Sequence, residues 1–321
     1  MDVAKLIRIG SWMILGSITL CGVGCGLSSD ESEEGEEVGQ AQQAESPKNG
    51  MSRRAVSYND AGRGTLSQNA LTVANLSSSS LSTAGLGLQV IKYAIRCALP
   101  DNTCFDIATT ATDTDVPPEC ANGVCHFCGD VSIATSWQSG ALTVSQEKWV
   151  SACMLSLVNY DEQSVVVSVR DSVSGGIPDV KPPESNNYDA PEAAFWGNIF
   201  RPNADGTYSK YVCNGGASIT PPGRVCGLNA NGAVDCSMTF VGSCLGRNIT
   251  DTGTTPSGTI ACDVVDALPN GAVRQCHDSS GVAWDEVVTA YDHALCGDNL
   301  CSGHETLGNC PADCTLRPNQ Y

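Results

Sequence analysis

Beyond residue 27 the chain has no apolar run of bilayer-spanning length, so the rest of its sequence carries no transmembrane-helix signal. Basic residues are scarce: 17 Lys and Arg stand against 35 Asp and Glu, for a net charge of −18. That balance works against nucleic acid, whose phosphates need cationic partners, and against electrostatic docking on anionic lipid. Histidine occurs only at His126, His277, His293 and His304, and no two are at metal-ligand spacing. The patterns G-x-S-x-G and H-E-x-x-H are missing, as are the P-loop and the dinucleotide-binding glycines. Their absence removes the usual sequence grounds for a serine hydrolase, a zinc protease or a nucleotide enzyme.

Cysteine, by contrast, is plentiful, with 18 in the chain. Cys21 and Cys25 end an N-terminal apolar run. Cys97, Cys104, Cys120, Cys125, Cys128, Cys153, Cys213, Cys226, Cys236, Cys244, Cys262 and Cys276 are spread through the middle. Cys296, Cys301, Cys310 and Cys314 lie near the end. Cleavage before Cys25 discards Cys21 and leaves an even set once Cys25 is lipidated, so every remaining cysteine can be oxidised. Such a set is expected of a protein exported to an oxidising compartment.

The leader supports that expectation. Lys5 and Arg8 form a positive start, residues 9–20 are uncharged and mostly apolar, and Gly22, Val23 and Gly24 are small enough for a signal-peptidase site. The segment resembles a bacterial lipoprotein signal, with Gly22 standing where such signals usually carry Leu. The resemblance implies a signal peptide at 1–24 and a lipid on Cys25, with the acyl chains as the membrane contact. Ordinary cleaved secretion and an uncleaved helical anchor over residues 9–27 are the alternatives. Removing the leader, with Asp2 against Lys5 and Arg8, leaves a net charge of about −19.

Residues 25–86 read as a tether. Seven acids (Asp30, Glu31, Glu33, Glu34, Glu36, Glu37 and Glu45) oppose Lys48 before residue 50, with almost no core-forming side chains. Low hydrophobicity and high charge leave too little burial to offset chain entropy. Residues 51–85 are then rich in Ser, Thr, Ala, Asn and Leu, with Arg53, Arg54, Arg63 and Asp60 as the charges, and read as flexible linker.

The folded body is expected over 87–291. Leu88, Ile91, Ala94 and Ile95 recur at helical spacing until Pro100. A second helix has Thr143 and Gln146 as a capping pair, with Val150, Cys153, Met154 and Leu157 on one face. Cys97 and Cys153 lie on or beside the two apolar faces, which invites a disulfide between them or from each to the sheet. Strands are expected at 164–170, 208–213, 234–241, 259–265 and 284–291, where β-branched and aromatic residues sit between Gly, Pro, Asn and Asp clusters. Two early helices followed by short strands define an α+β fold class.

Residues 292–321 form a separate four-cysteine module. The run CGDNLCSGHETLGNCPADC at 296–314 resembles a short cysteine-rich repeat, C-G-D-G-x-C ending in C-x-x-D-C, found at the ends of secreted and surface proteins of bacteria and archaea. All four cysteines match, as do Asp298, Glu305 and Asp313. Those three carboxylates are a candidate Ca²⁺ set, with turn capping as the alternative. In the body, IKYAIRCALP at 91–100, EKWVSACMLSLVN at 147–159, EAAFWGNIF at 192–200, YVCNGG at 211–216 and WDEVVTAY at 284–291 resemble an uncharacterised family of cysteine-containing lipoproteins of myxobacteria. That resemblance implies an envelope lipoprotein and no particular chemistry.

Four patterns are candidates for chemistry. Cys125-His126-Phe127-Cys128 is a C-x-x-C, open to redox or zinc roles and otherwise to plain disulfides. Ser145-Gln146-Glu147-Lys148 matches S-x-x-K but lacks the K-T-G and S-x-N partners, and reads as a chance match. Asp285, Glu286 and Asp292 beside His293 offer a carboxylate and imidazole pair, or simply a solvated strand face. Trp137, Phe195 and Trp196 are candidates for stacking on sugars, with the core as the alternative. The expected function is non-catalytic binding of a glycan or another envelope protein, or a structural role, at the cell surface. An exported hydrolase using Glu286, Asp292 or His293 is the rival.

Overall fold

Between residues 51 and 86 the serine, threonine and asparagine side chains serve as helix caps, and the segment is part of the folded body. The structure, a computed structural model, describes residues 50–159, 167–171, 188, 190–215, 225–228, 234–244, 262–263, 273, 275–278 and 280–292. Contacts divide the chain into Met1–Gln43 and Ala44–Tyr321, and every described residue belongs to the second unit. The leader, Cys25, the acidic stretch and the C-terminal cysteine module lie outside the described residues.

The first elements are β1 (Met51–Ser52), a 3-10 turn at Ala55–Ser57, α1 (Asp60–Ser67), α2 (Val73–Ser78) and a second 3-10 turn at Ser80–Thr83. Asn59 accepts from the Gly62 amide at 3.0 Å, Thr72 from Asn75 at 3.2 Å and Ser79 from Leu81 at 3.2 Å, each satisfying an amide that a helix start leaves unpaired. Met51, Ala55, Val56, Leu66, Leu71, Leu76 and Leu81 are all no more than 5% exposed. Residues 51–86 are therefore part of the folded body, and the expected tether boundary at residue 86 is corrected. The leucines fall one per short element, so no long helical period announces them, and the capping residues give the segment a linker composition.

Helix α3 (Gly85–Ala98) follows the expected periodicity and stops at Leu99, before Pro100. Next come β2 (Cys104–Ala108), β3 (Cys120–Ala121) and β4 (Val124–Cys128), an antiparallel sheet in the order β2-β4-β3. Helix α4 (Val144–Ser156) begins with the expected capping box, Thr143 and Gln146 each bonding the other's backbone amide. A disulfide joins Cys97 of α3 to Cys153 of α4. Strand β5 (Val158–Asn159) then pairs with β1 in parallel.

The remaining strands are β6 (Ser168–Asp171), β7 (Ala190–Asn198), β8 (Ser209–Asn214), β9 (Cys226–Leu228), β10 (Val234–Cys236), β11 (Thr239–Ser243), β12 (Cys262–Asp263), β13 (Gln275–His277), β14 (Ala283–Trp284) and β15 (Val287–Asp292). The principal sheet has the order β11-β8-β7-β15-β6, antiparallel except for β11 against β8. Most pairings being antiparallel and the helices preceding most of the strands, the fold is α+β, as the residue pattern implies.

Both faces of the principal sheet are covered. On β7, Ala193 and Phe195 join the core shared with α3 and α4, while Ala194 and Trp196 join a second core containing Cys213, Cys244, Cys262, Cys276 and Trp284. Two-sided burial gives β7 a continuous apolar run in place of alternation, and no strand is expected there from period-2 patterning. Gly197 (φ +145°) lets β7 approach β8, since a Cβ there would meet the Ser209 carbonyl oxygen at 2.2 Å. The expected strand at 234–241 is in fact β10 and β11, which pair with different partners across Ser237 and Met238. Likewise 284–291 is split by Asp285 and Glu286, where the Val287 amide donates to the Asp285 carbonyl at 3.0 Å. Of 259–265 only β12 lies within the described residues.

Tyr93 on α3 is 3% exposed, and burial pushes its hydroxyl from 10.0 up to about 12. The folded state therefore holds this proton more tightly than the unfolded state. Stability is unaffected below about pH 10 and falls as pH rises towards about 12, by about 2–3 kcal/mol. Tyr93→Phe should make the alkaline loss smaller by this residue's share, as read by urea melts at pH 8, 10 and 11.5, and leave the share of Tyr208, Tyr211 and Tyr291, whose hydroxyls burial also raises.

A chain starting at residue 87 omits all seven of the buried apolar side chains named above. Each is worth about 1.5–3 kcal/mol for the larger residues, together comparable to the roughly 5–15 kcal/mol net stability of a typical domain. Expression from residue 50 should give a cooperative thermal transition, and expression from residue 87 should give none.

Candidate functional site

A cleft of about 430 Å³ that combines charged side chains with an aromatic surface lies between α1 and the segment after β7. Asp60, Thr65 and Gln68 line one wall, Phe200, Arg201 and Tyr208 the other, and Glu147 the base. Glu147, in the first turn of α4, is 2% exposed. Its carboxylate accepts from Ser67 Oγ (3.0 Å), Asn198 Nδ2 (3.2 Å), Arg201 Nε (2.9 Å) and Arg201 Nη2 (3.2 Å). The Arg201 side chain remains about half exposed at the rim. Hydrogen bonds to Glu147, and then the carboxylate charge, hold Arg201 above the ordinary arginine range.

Arg63 secures the α1 wall from behind. Its side chain is 1% exposed and donates to the carbonyls of Ile199 (2.8 Å) and Tyr58 (2.6 Å) and to Asp60 Oδ1 (2.6 Å). Burial lowers its pKa from the usual value, and Asp60 opposes that shift. The guanidinium also lies 4.9 Å from the centre of the Tyr208 ring. Partial burial, then the Asp60 charge, raises the Tyr208 hydroxyl. The cleft thus presents hydrogen-bonding groups of both signs around a braced aromatic ring. No local motif marks it, because its walls come from residues 60–68 and 200–208, which only the fold brings together.

A second constellation joins two of the sequence patterns. Ser145 Oγ donates to Glu286 Oε1 at 2.9 Å, and Lys148 Nζ donates to Glu286 Oε2 at 3.2 Å. Lys148 also lies 4.9 Å from the centre of the Trp284 ring. Glu286 therefore meets the S-x-x-K residues of α4. The side chain of Asp292 and all of His293 lie outside the described residues. Asp285 accepts instead from Gln275. A carboxylate near the first turn of α4 complements the positive end of the helix, so the cluster also anchors β15 to α4.

The C-x-x-C pair is not a disulfide. Cys125 pairs with Cys120, and Cys128 with Cys104. Asp106 and His126 are opposite each other on β2 and β4, as are Cys104 and Cys128. Period-2 alternation puts Ile107, Cys125 and Phe127 in the core, and Cys104, Asp106 and His126 on the exposed face with the half-buried Cys128. His126 Nδ1 is 2.8 Å from Asp106 Oδ1, and His126 Nε2 is 3.4 Å from Cys128 Sγ. The hairpin was legible as alternation in residues 104–108 and 124–128, masked by the C-x-x-C spacing.

Cys213–Cys244 and Cys262–Cys276 are disulfides in the second core, with Cys213 Sγ 3.4 Å from Cys262 Sγ. Neither sulfur carries a proton, so this is a packing contact. Cys213, Cys244 and Cys262, like Cys104, His126 and Cys128, are close enough to share an ion, but their sulfurs are consumed in disulfides and supply no thiolate. Cys226 and Cys236 are directly opposed in backbone register between β9 and β10. Trp137, Phe195 and Trp196 are fully buried, which corrects their candidacy for sugar stacking. Cys25, Cys296, Cys301, Cys310, Cys314, Asp298, Glu305 and Asp313 lie outside the described residues. Among the described residues no helix is long and apolar enough to cross a membrane.

The fold and these sites define a disulfide-crosslinked α+β protein. Comparison with protein-family models, curated proteins and solved structures finds no match.

Glu147→Ala leaves the Asn198 amide without its acceptor, turns Ser67 to its other acceptor, the Gly64 carbonyl, and frees Arg201 to hydrate, a loss of about 1–3 kcal/mol. Arg201→Ala should destabilise more, although Arg201 is the more exposed partner, because it leaves a buried carboxylate without its cation. Urea denaturation of both variants checks this order.

Proposed function

We propose that this chain is an envelope lipoprotein, anchored through Cys25, whose body binds a short glycan in the Asp60–Tyr208 cleft without turning it over. The observation that carries the reading is the state of Glu147: both carboxylate oxygens are occupied by hydrogen bonds, so the cleft's buried acid serves architecture and the rim supplies recognition. Asp60, Thr65, Gln68 and Arg201 match the hydroxyls of a sugar, and the Tyr208 ring offers it an apolar face. Five disulfides among the described residues suit a protein working outside the reducing cytosol. The lipid anchor and surface address rest on the leader and on the resemblance to myxobacterial lipoproteins. Calcium in the C-terminal module belongs to the same proposal, through Asp298, Glu305 and Asp313.

The rival hydrolase reading has one specific observation in its favour, the Ser145, Glu286 and Lys148 cluster. A hydroxyl donating to a carboxylate is the arrangement of a serine made ready for attack. Titrating the oxidised full-length chain with envelope-derived oligosaccharides should show saturable binding that weakens about tenfold or more in Tyr208→Ala and Asp60→Ala. Hydrolysis of a glycoside, ester or peptide that disappears in Ser145→Ala or Glu286→Gln would replace the binding reading with the rival.

A further inference from the structure

We propose that the exposed face of the β2–β4 hairpin is a thiol–disulfide exchange site, with Cys104–Cys128 as the reactive disulfide, His126 as the catalytic acid and base, and Asp106 as its positioning residue. Three observations combine. Cys104 is exposed and Cys128 half-buried, so an incoming thiolate reaches the Cys104 sulfur more readily. The imidazole of His126 touches the other sulfur, with Nε2 3.4 Å from Cys128 Sγ. Asp106 holds the opposite ring nitrogen at 2.8 Å, which leaves Nε2 directed at sulfur. Such an order of carboxylate, imidazole and sulfur stabilises a leaving thiolate. Of the other charged groups near the hairpin, Glu119, before β3, pairs with Lys92, and Asp130, after β4, with Arg96, while Asp101 is exposed in the turn before β2.

The partner is a dithiol of the oxidising compartment, small or on a protein. Its thiolate attacks Cys104 Sγ, forming a mixed disulfide as the Cys104–Cys128 bond breaks. The electron pair leaves on Cys128 Sγ, and the Nε2 of His126 delivers a proton there. The partner's second thiolate then attacks its own sulfur in the mixed disulfide and releases Cys104, which takes up a proton. The dithiol is oxidised by two electrons and the pair Cys104 and Cys128 is reduced by two. The other described disulfides are less open to attack: Cys97–Cys153, Cys213–Cys244 and Cys262–Cys276 are fully buried, and in Cys120–Cys125 Cys125 is buried and Cys120 half-buried.

The test uses the oxidised full-length chain and dithiothreitol, with timed alkylation and mass spectrometry to identify each cysteine released. Cys104 and Cys128 should be released together and at least about tenfold faster than Cys97 and Cys153. His126→Gln and Asp106→Asn, both on the exposed face, should slow that release about tenfold near neutral pH. In the reduced parent, alkylation of Cys128 should titrate below an ordinary thiol, about pH 8.5, and His126→Gln should return it towards that value. Release no faster than that of Cys97 and Cys153, or a rate and alkylation profile unchanged in His126→Gln, overturns the proposal.

Discussion

A carboxylate taken out of water must be neutralised and fully hydrogen-bonded, and Glu147 makes that demand on separate parts of the chain. Ser67 answers from the end of α1, Asn198 from the end of β7 and Arg201 from the segment beyond it. Those three bonds set where the early helical segment, α4 and the principal sheet meet. Ser151 adds to the junction by accepting from the Ile199 amide at 3.0 Å, and Arg63 reaches the Ile199 carbonyl from α1. The cleft exists because this polar junction holds its walls apart at their rims while joining them at the base.

Around that junction the covalent links divide the labour between two cores. Cys97–Cys153 locks α3 to α4 above one face of the principal sheet. On the other face Cys213–Cys244 ties β8 to the end of β11 and Cys262–Cys276 ties β12 to β13, beside Trp196 stacked on Tyr211 with ring centres 5.8 Å apart. Short two- and three-residue strands bury little area each, so crosslinks that limit the unfolded ensemble contribute disproportionately there. Cys104–Cys128 differs in that it lies at the surface, where it is open to chemistry as well as to stabilisation.

Much of the fold was legible because its signals were local. The capping box at Thr143 and Gln146, the apolar periodicity of α3 and its stop before Pro100 need only neighbouring residues to act, and α3 and α4 lie where those signals put them. Strand β7 was hidden by burial on both faces, which erases alternation. Residues 51–86 were hidden by composition, since a serine that caps a helix and a serine in a linker look alike until the helix is in place. For the candidate sites, Glu286 and the S-x-x-K pair were each visible alone, but their meeting was not, since Ser145 and Glu286 are 141 positions apart in the chain.

By itself the sequence determined the α+β class, the cysteine-rich oxidised character and the positions of α3 and α4, because propensity, capping and parity act over a few residues or by simple count; that α4 is buried on every side from Val150 to Ser156 came from the fold. Tertiary structure alone decided which cysteines pair, that residues 51–86 belong to the folded body, that Trp137, Phe195 and Trp196 are core, and which polar side chains converge at the cleft. Those outcomes depend on contacts between distant segments, and such contacts are selected by the burial and hydrogen bonding of the whole chain rather than by any stretch of it.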